Sequence, residues 1–473
     1  MCGIVVYASS AGATPAIEIT NDSIDKIKHR GPDGSGTASI SVNGDTNVPN
    51  VVLGHTRLAI VGNDTARQPL KCTTPQRNFY LVHNGEVYNY RDLQERLIVQ
   101  GCCTNDDFES GGDSEVLLAC LAHKGVEWTL EKMRGMYAFV LVETSSATTK
   151  EEFVRIVACR DTFGIKPLCY AFDESQENLL FTSEVGAVPD NFGDVRDVLP
   201  SSILEITFRR GSWRRQERMH MDPRSWLSSE ARNIQEVCDD AKMLASIRTK
   251  LIDAVSVRIP EGVRMGVLLS GGLDSSLIAS IAADLVHPTT LHTFNIKYSG
   301  AVGDSPTHET TDYHYARLVG EEIPNICHEQ LSFSFQEGIS ILPKVIMCLE
   351  SADPSIVRAG VPLYILSKKV SSKGFKVVLC GEGADESFAG YRLFEKFHPI
   401  SHDDCDQFDK ELSRRLLHID TSELQRVDRC TSAHGIEARV PFMDVDLIKT
   451  AMGISLQEVS RQLCRGRSSS EVI

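Results

Sequence analysis

The sequence predicts two folds in series: an α+β half built from antiparallel layered strands, then an α/β half built on a parallel sheet. Three observations carry this. From Met1 to about residue 208, short apolar runs follow one another with Gly, Asn, Pro and Asp between them, which is how strands joined by turns read. From about residue 246 the rhythm becomes strand, helix, strand, helix, as in a parallel sheet covered by helices. Between them, residues 209–245 are polar and Arg-rich (GSWRRQERMHMDPRSW) with little periodicity, and read as a linker. The expected organisation is one domain over 2–208, the linker, and a second domain over 246–473. A length of 473 residues suits two or three domains.

In the first half the expected strands are IVVYA, VVLGHTRLAIV, FYLVHNG, MYAFVLVE, FVRIVACRD, LLFTSE and ILEITF. Two helices interrupt them. Over 91–100, Leu93, Leu97 and Ile98 share a face ahead of Gly101; over 113–124, Leu117, Leu118 and Leu121 do so ahead of Gly125. In the second half RMGVLLS, TLHTFNIKY and FKVVLCG read as strands, and LDSSLIASIAADLV and ETTDYHYARLVGEEI as helices. Ligands of such sheets sit beyond the carboxyl ends of the strands. The closing CRGRSSSEVI is polar and expected to fray.

Hydrophobic residues at 42% and charged residues at 24% exclude a disordered or collagen-like chain. A net charge of −15 argues against nucleic acid as a partner, because a phosphate backbone rewards clustered cations. No charged segment precedes the first apolar run, and no apolar stretch is long enough to span a bilayer, so the expected setting is cytoplasmic, without a membrane. Fourteen cysteines without CxxC pairing read as reduced thiols. Oligomeric state is not legible, and a homodimer stays open.

One cysteine is special by position. Removing Met1 would leave Cys2 with a thiol and a free α-amine able to accept the thiol proton, so that the residue is its own nucleophile and base. Taken singly, a cysteine there is, roughly nine times in ten, a small residue opening a strand. Its context in the same half is Arg57 in HTRLAIV, suited to a carboxylate; Asn84 and Gly85 in HNGEVYN, whose amide groups suit an oxyanion; and Asp113 in SGGDSEV, suited to an amine. Singly these read as a surface cation, a hairpin turn and a helix N-cap. Together they describe a pocket for a free amino acid whose side-chain carbonyl is attacked. Arg160, Asp161 and Lys166 in RDTFGIKPL fit a structural ion pair equally well, and His55 and His83 read as packing or hydrogen-bonding residues.

MCGI, HRGPDG (29–34), RLAIV (57–61), NGEVYN (84–89) and GGDSEV (111–116) occur in order, and on these motifs the first half resembles the class II glutamine amidotransferases. The resemblance implies an Ntn-type glutaminase domain. In it Cys2 attacks the glutamine amide, Asn84 and Gly85 form the oxyanion hole, and Arg57, Leu58, Ala59, Ile60, Val61, Glu86 and Asp113 join them in binding glutamine.

In the second half GVLLSGGLDSS runs from a strand into a helix. Ser270, Gly271, Gly272, Asp274, Ser275 and Ser276 make an anion cradle of backbone N–H groups, hydroxyls and a helix N-terminus. The loop lacks the Lys of GxxxxGK[ST], which disfavours γ-phosphate transfer; Asp274 fits Mg²⁺ bridging a leaving pyrophosphate. SGGLDSS resembles the pyrophosphate loop of ATP pyrophosphatases. With RAGVPLYILSKK (358–369), CGEGADESFAGY (380–391) and HGIEARVPFMD (434–444), the chain from 2 to 455 resembles the glutamine-hydrolysing asparagine synthetases. That resemblance implies adenylation of aspartate by MgATP and attack by ammonia delivered internally, with ATP and Mg²⁺ as cofactors. It assigns Leu268, Ile296, Cys380 and Gly381 to ATP, Glu382 to acid/base work, Asp274 and Asp385 to magnesium and pyrophosphate, and Arg358 to a substrate carboxylate. Cys380 and Gly62 stand where the family has Ser and Asp. A GxxKxxLR-like segment is not found, so the second domain is expected to be C-terminally truncated. The alternatives are a ligase that adenylates another carboxylate, and a homologue deficient in synthesis.

Overall fold

A computed structural model describes residues 1–9, 16–40, 49–145, 153–173, 175, 177–209, 212–226, 240–299, 311–397 and 402–453. Strand Gly3–Ser9 shows why the first half is layered. Ile4, Val6 and Ala8 join one apolar cluster, Val5 and Tyr7 another, and the whole strand is buried, so both of its faces have to be covered. Strand Gly135–Ser145 repeats the arrangement: Ala138, Val140 and Val142 meet the Ile4 cluster while Tyr137, Phe139 and Leu141 face away.

Two six-stranded antiparallel sheets result. One runs in the order Arg196–Asp197, Cys169–Phe172, Asn178–Thr182, Gly3–Ser9, Asn50–Arg57, Gly34–Ile40. The other runs Ser212–Met219, Ser202–Arg209, Val154–Arg160, Gly135–Ser145, Arg77–Val87, Leu70–Thr73. Helix Ala16–Lys26 covers the outer face of the first, and helices Tyr90–Val99, Asp113–Lys124 and Val126–Lys132 cover that of the second.

Two expectations need correction here. Helices Ala16–Lys26 and Val126–Lys132 join the two foreseen; the first buries Thr20 and Ser23 beside Ala16 and Ile24, which hides its apolar period, and the second has only 7 residues. The supposed linker contains strand Ser212–Met219, paired antiparallel with Ser202–Arg209, and its last residues open helix Asp240–Ser256. An edge strand carrying Arg214, Arg215, Glu217 and Arg218 has no apolar alternation to read. Residues 227–239 and the closing CRGRSSSEVI lie outside the described residues.

The second half holds a five-stranded parallel sheet in the order Ile326–Ser334, Leu291–Ser299, Met265–Leu268, Val377–Leu379, Glu437–Arg439. Helices Asp240–Ser256, Leu273–Val286 and Val445–Met452 pack on one face. Helices Pro354–Ser371, His402–Leu417 and Glu423–Ser432 build the core on the other, which also takes in Met136, Phe163 and Ile165 from the first half. Chain order runs outward from Met265–Leu268 on both sides, first through Leu291–Ser299 and Ile326–Ser334 and then through Val377–Leu379 and Glu437–Arg439, so strand order reverses there and a crevice opens at the carboxyl ends. No helix among the described residues is long and apolar enough to cross a membrane.

Charge-assisted contacts close the seam between the halves. Arg30 is fully buried and donates to Glu184 at 2.8 Å, Asp428 at 2.9 Å and the Cys2 carbonyl at 3.1 Å. Arg429 donates to the Ser183 carbonyl at 2.9 Å and to Glu350 at 2.6 Å. Burial works against ionised Glu184, but Arg429, His29 and Arg30 outweigh it and hold its carboxyl low. Arg30→Met is expected to lower stability by roughly 3–5 kcal/mol, because Asp428 and Glu184 lose a buried counter-charge. Chemical denaturation measures this, and a loss under about 1 kcal/mol would contradict the seam's role.

Candidate functional site

The first site forms where strands Gly3–Ser9 and Arg77–Val87 bring Cys2 against Asn84. The Cys2 N–H donates to Asn84 Oδ1 at 3.0 Å. Asn84 is fully buried, and its Nδ2 has no hydrogen-bond partner among the described residues, an unspent donor beside the thiol. Gly85 has φ +149, and a Cβ there would sit 2.0 Å from the Met136 carbonyl oxygen, so its place requires glycine. Cys2, Arg57, Leu58, Val61, Gly85, Glu86 and Asp113 line one cavity. Asp113 opens helix Asp113–Lys124 and accepts from the Val87 N–H at 2.8 Å.

Burial raises the Cys2 thiol pKa, an effect the nearby amine partly offsets. Burial also pushes the His55 imidazole down to about 3 and lowers that of His83, so both rings are neutral. Met1 is buried and its amine lies 3.6 Å from Glu437, with a pKa lowered by burial. Glu86 lies 3.0 Å from Arg439 and, through burial, has a pKa well above the ordinary carboxylate range.

The second site lies at the carboxyl ends of the parallel strands. Gly271 has φ +87, and a Cβ there would meet the Ala316 nitrogen at 2.4 Å, so the loop after Met265–Leu268 is held tight against helix Thr311–Glu322. Ser270 Oγ accepts from the Gly272 N–H at 3.3 Å, and Ser276 Oγ donates to the Gly272 carbonyl at 2.7 Å. Gly381 abuts this loop, since its Cβ would stand 3.2 Å from the Ser275 nitrogen and 3.3 Å from Asp274 Cβ. Asp274 is pushed up to about 6 by burial and by Asp385 and Glu382. Asp385 is raised by burial and by Glu423. Burial also raises Glu382, against the pull of Arg426 at 2.9 Å.

Known proteins resemble both halves of the chain. Residues 1–234 match the family model described as glutamine amidotransferase domain, and residues 246–417 and 398–465 match that described as asparagine synthase. Asparagine synthetase (glutamine-hydrolyzing) 3 of Arabidopsis thaliana is 32% identical over 467 residues, 96% of this chain and 71% of the relative. The Zea mays asparagine synthetase (glutamine-hydrolyzing) is 32% identical over 467 residues, 96% of this chain and 70% of the relative. Asparagine synthetase B (glutamine-hydrolyzing) of Escherichia coli is 32% identical over 461 residues, 94% and 74%. The chain belongs to the glutamine-hydrolysing asparagine synthetase family.

Not every residue assigned from the family motifs faces its cavity. Ala59, Ile60 and Asn84 are absent from the lining of the Cys2 cavity: Ala59 is bonded to Asp33 and Lys376, Ile60 packs with Val377, and Asn84 is buried behind Cys2, accepting its N–H. Leu268 and Ile296 are half-buried against the core that contains Cys380. Arg358 is exposed on helix Pro354–Ser371. Sequence reasoning left out Gln68, Ser114 and Glu437, which line the Cys2 cavity; His55 and His83, read as packing or hydrogen-bonding residues, line it too, and His83 Nδ1 lies 2.9 Å from Ser114 Oγ. Glu437 comes from the other half; its only signal was HGIEARVPFMD, read for the second site alone.

Asp274 also fixes a pH dependence. A carboxyl raised to about 6 binds its proton more tightly folded than unfolded, so stability falls as pH rises from about 4 through 6. The ligand-free Asp274→Asn variant is expected to melt above the wild type near pH 8 and level with it near pH 4. Thermal melts across that range check it; a variant melting lower near pH 8 would contradict the shift.

Proposed function

We propose that this chain makes asparagine from aspartate with nitrogen released from glutamine, through a β-aspartyl-AMP intermediate, with AMP and pyrophosphate as products. The observation that carries the reading is one short strand bordering both sites. In strand Glu437–Arg439, Glu437 lines the Cys2 cavity, while the Arg439 carbonyl accepts from the Cys380 N–H at 3.1 Å at the start of the Glu382 loop.

In the first site, removal of Met1 would turn the Cys2 nitrogen, which now donates to Asn84 Oδ1, into a free amine. That amine takes the thiol proton, and sulfur attacks the side-chain carbonyl of glutamine. Asn84 Nδ2 and the Gly85 N–H receive the oxyanion. Arg57 holds the α-carboxylate, Asp113 the α-amine, and Glu86 and the Leu58–Val61 loop the rest of the substrate. Ammonia leaves, and water releases glutamate from the thioester.

In the second site, the orphan N–H groups at the start of helix Leu273–Val286 and the hydroxyls of Ser270, Ser275 and Ser276 suit a pyrophosphate. Leu268, Ile296, Cys380 and Gly381 would border the nucleotide. Asp274 and Asp385, each destabilised as a carboxylate, suit a divalent cation. Magnesium would be held there by these two carboxylates together with phosphate oxygens. When bound, MgATP makes AMP the leaving group on a carboxylate otherwise inert to ammonia. Glu382 then accepts a proton from the attacking nitrogen. The ammonia has to reach it unprotonated, because ammonium has no lone pair.

Purified protein given glutamine, aspartate and MgATP is expected to yield asparagine and AMP. AMP formed only with a different acid would defeat the choice of acceptor, and glutamate without AMP would defeat synthesis. Cys2→Ala is expected to abolish glutamine-dependent asparagine formation and retain the ammonia-dependent reaction; equal loss of both contradicts the division of labour. Glu382→Ala is expected to remove synthesis and leave glutamine hydrolysis, read as glutamate release.

A further inference from the structure

Lys376 immediately precedes strand Val377–Leu379 of the parallel sheet, and its backbone is fixed on both sides. Its N–H donates to the Arg264 carbonyl at 3.1 Å, and its carbonyl accepts from the Glu437 N–H at 2.8 Å. From that platform the side chain crosses to the first half. Lys376 Nζ donates to Asp33 Oδ2 at 2.8 Å and to the Ala59 carbonyl at 3.2 Å. The same Asp33 oxygen accepts from the Ala59 N–H at 2.7 Å, and the Asp33 N–H donates to the Arg57 carbonyl at 3.0 Å. Both backbone polar groups of Ala59 therefore end on the Lys376–Asp33 pair. Leu58 and Ile60 pack with Val377, and Arg57, Leu58 and Val61 line the Cys2 cavity.

We infer that Lys376, a residue of the nucleotide half, positions the Arg57–Val61 loop for glutamine. The inference rests on the reading of the Cys2 cavity given under Proposed function. Ala59 is the fixed point of the loop, with Arg57 and Leu58 before it and Val61 after it lining the cavity. Lys376 itself touches no substrate; it acts through Asp33 and Ala59. Its side chain is 33% exposed and that of Asp33 31%, so the pair adds little to global stability. What it supplies is geometry: a charge-assisted donor shared between a carboxylate and a carbonyl allows the loop one placement. A small displacement of a substrate-holding residue is felt strongly in binding. Because the loop holds glutamine before and during attack alike, the loss belongs in KM and not in kcat.

Steady-state glutamine hydrolysis by the full chain, followed by glutamate release, tests this. Lys376→Met is expected to raise KM for glutamine about tenfold with kcat within about twofold. Lys376→Arg, which keeps a cation of similar reach, is expected to fall close to the wild type, and both variants to melt near it. An unchanged KM in Lys376→Met overturns the inference. So does a fall in kcat accompanied by a lower melting temperature that Lys376→Arg fails to restore, since that is the mark of a structural role. A wild-type chain that hydrolyses no glutamine is a separate result, and it defeats the reading of the Cys2 cavity together with the inference built on it.

Discussion

A guanidinium buried to 2% exposure needs counter-charge close by, and Arg439 has carboxylates from both halves beside it, Glu86 at 3.0 Å and Glu437 at 2.7 Å. Its Nη1 also donates to the Arg258 carbonyl at 3.0 Å. Burial opposes ionised Glu437, yet Arg439, the Met1 amine and Lys166 outweigh it and hold its carboxyl down to about 2. The arrangement cannot be taken apart in stages. Separating the halves strands Glu86, and moving strand Glu437–Arg439 strands Glu437 and shifts the Cys380 N–H that bonds to the Arg439 carbonyl. Arg30 and Arg429 repeat the principle further along the seam, each sharing Glu184. Buried ion pairs contribute little net stability against an apolar alternative, but breaking one partner is costly, so their effect is to allow a single placement of one half on the other.

How legible this was in the sequence depends on whether the signal was local. Strands buried on both faces, such as Gly3–Ser9 and Gly135–Ser145, read as continuous apolar runs, and helix Leu273–Val286 matched its apolar segment end to end. Strand Ser212–Met219 was invisible because it is itself the sheet edge and its side chains are charged. Strand Glu437–Arg439 has only three residues, two of them ionic, and is a strand only because Val377–Leu379 lies beside it. The same limit governs the sites. Cys2, Asn84 and Gly85 carry motif signals, whereas Glu437 enters the Cys2 cavity, and Lys376 reaches Ala59, through contacts between residues hundreds of positions apart. Pattern within a window cannot encode them.

The carboxyl end of the parallel sheet shows the opposite electrostatic choice. Along the seam Arg30, Arg429 and Arg439 each have carboxylates beside them; around the paired loops Asp274, Asp385 and Glu386 are each raised by burial, with like-charged neighbours adding to the effect. Glu386 reaches about 7 even though Tyr391 donates a hydrogen bond to it. Such crowding costs folding free energy, and a site built this way is stabilised by whatever brings positive charge into it. Pairing at the seam and repulsion at the loops meet at the carboxyl end of strand Glu437–Arg439, where the Arg439 side chain faces Glu86 and Glu437 while its carbonyl accepts from the Cys380 N–H.

Electrostatics also select the base for the proposed thiol chemistry. His55, at about 3, is too weak to take a proton from a thiol whose own pKa burial has raised, and His83 is shifted the same way. Glu437 is held low and committed to Arg439, which Glu86 shares. The nitrogen of the chain end offers the thiol a base on its own residue. The Met1 amine shows how the surroundings treat such a group: burial lowers its pKa from 8.0. An amine on Cys2, one residue further in and beside the acceptor Asn84 Oδ1, would meet the same low-dielectric setting, which favours its uncharged form, the one able to accept the proton its own thiol has to lose.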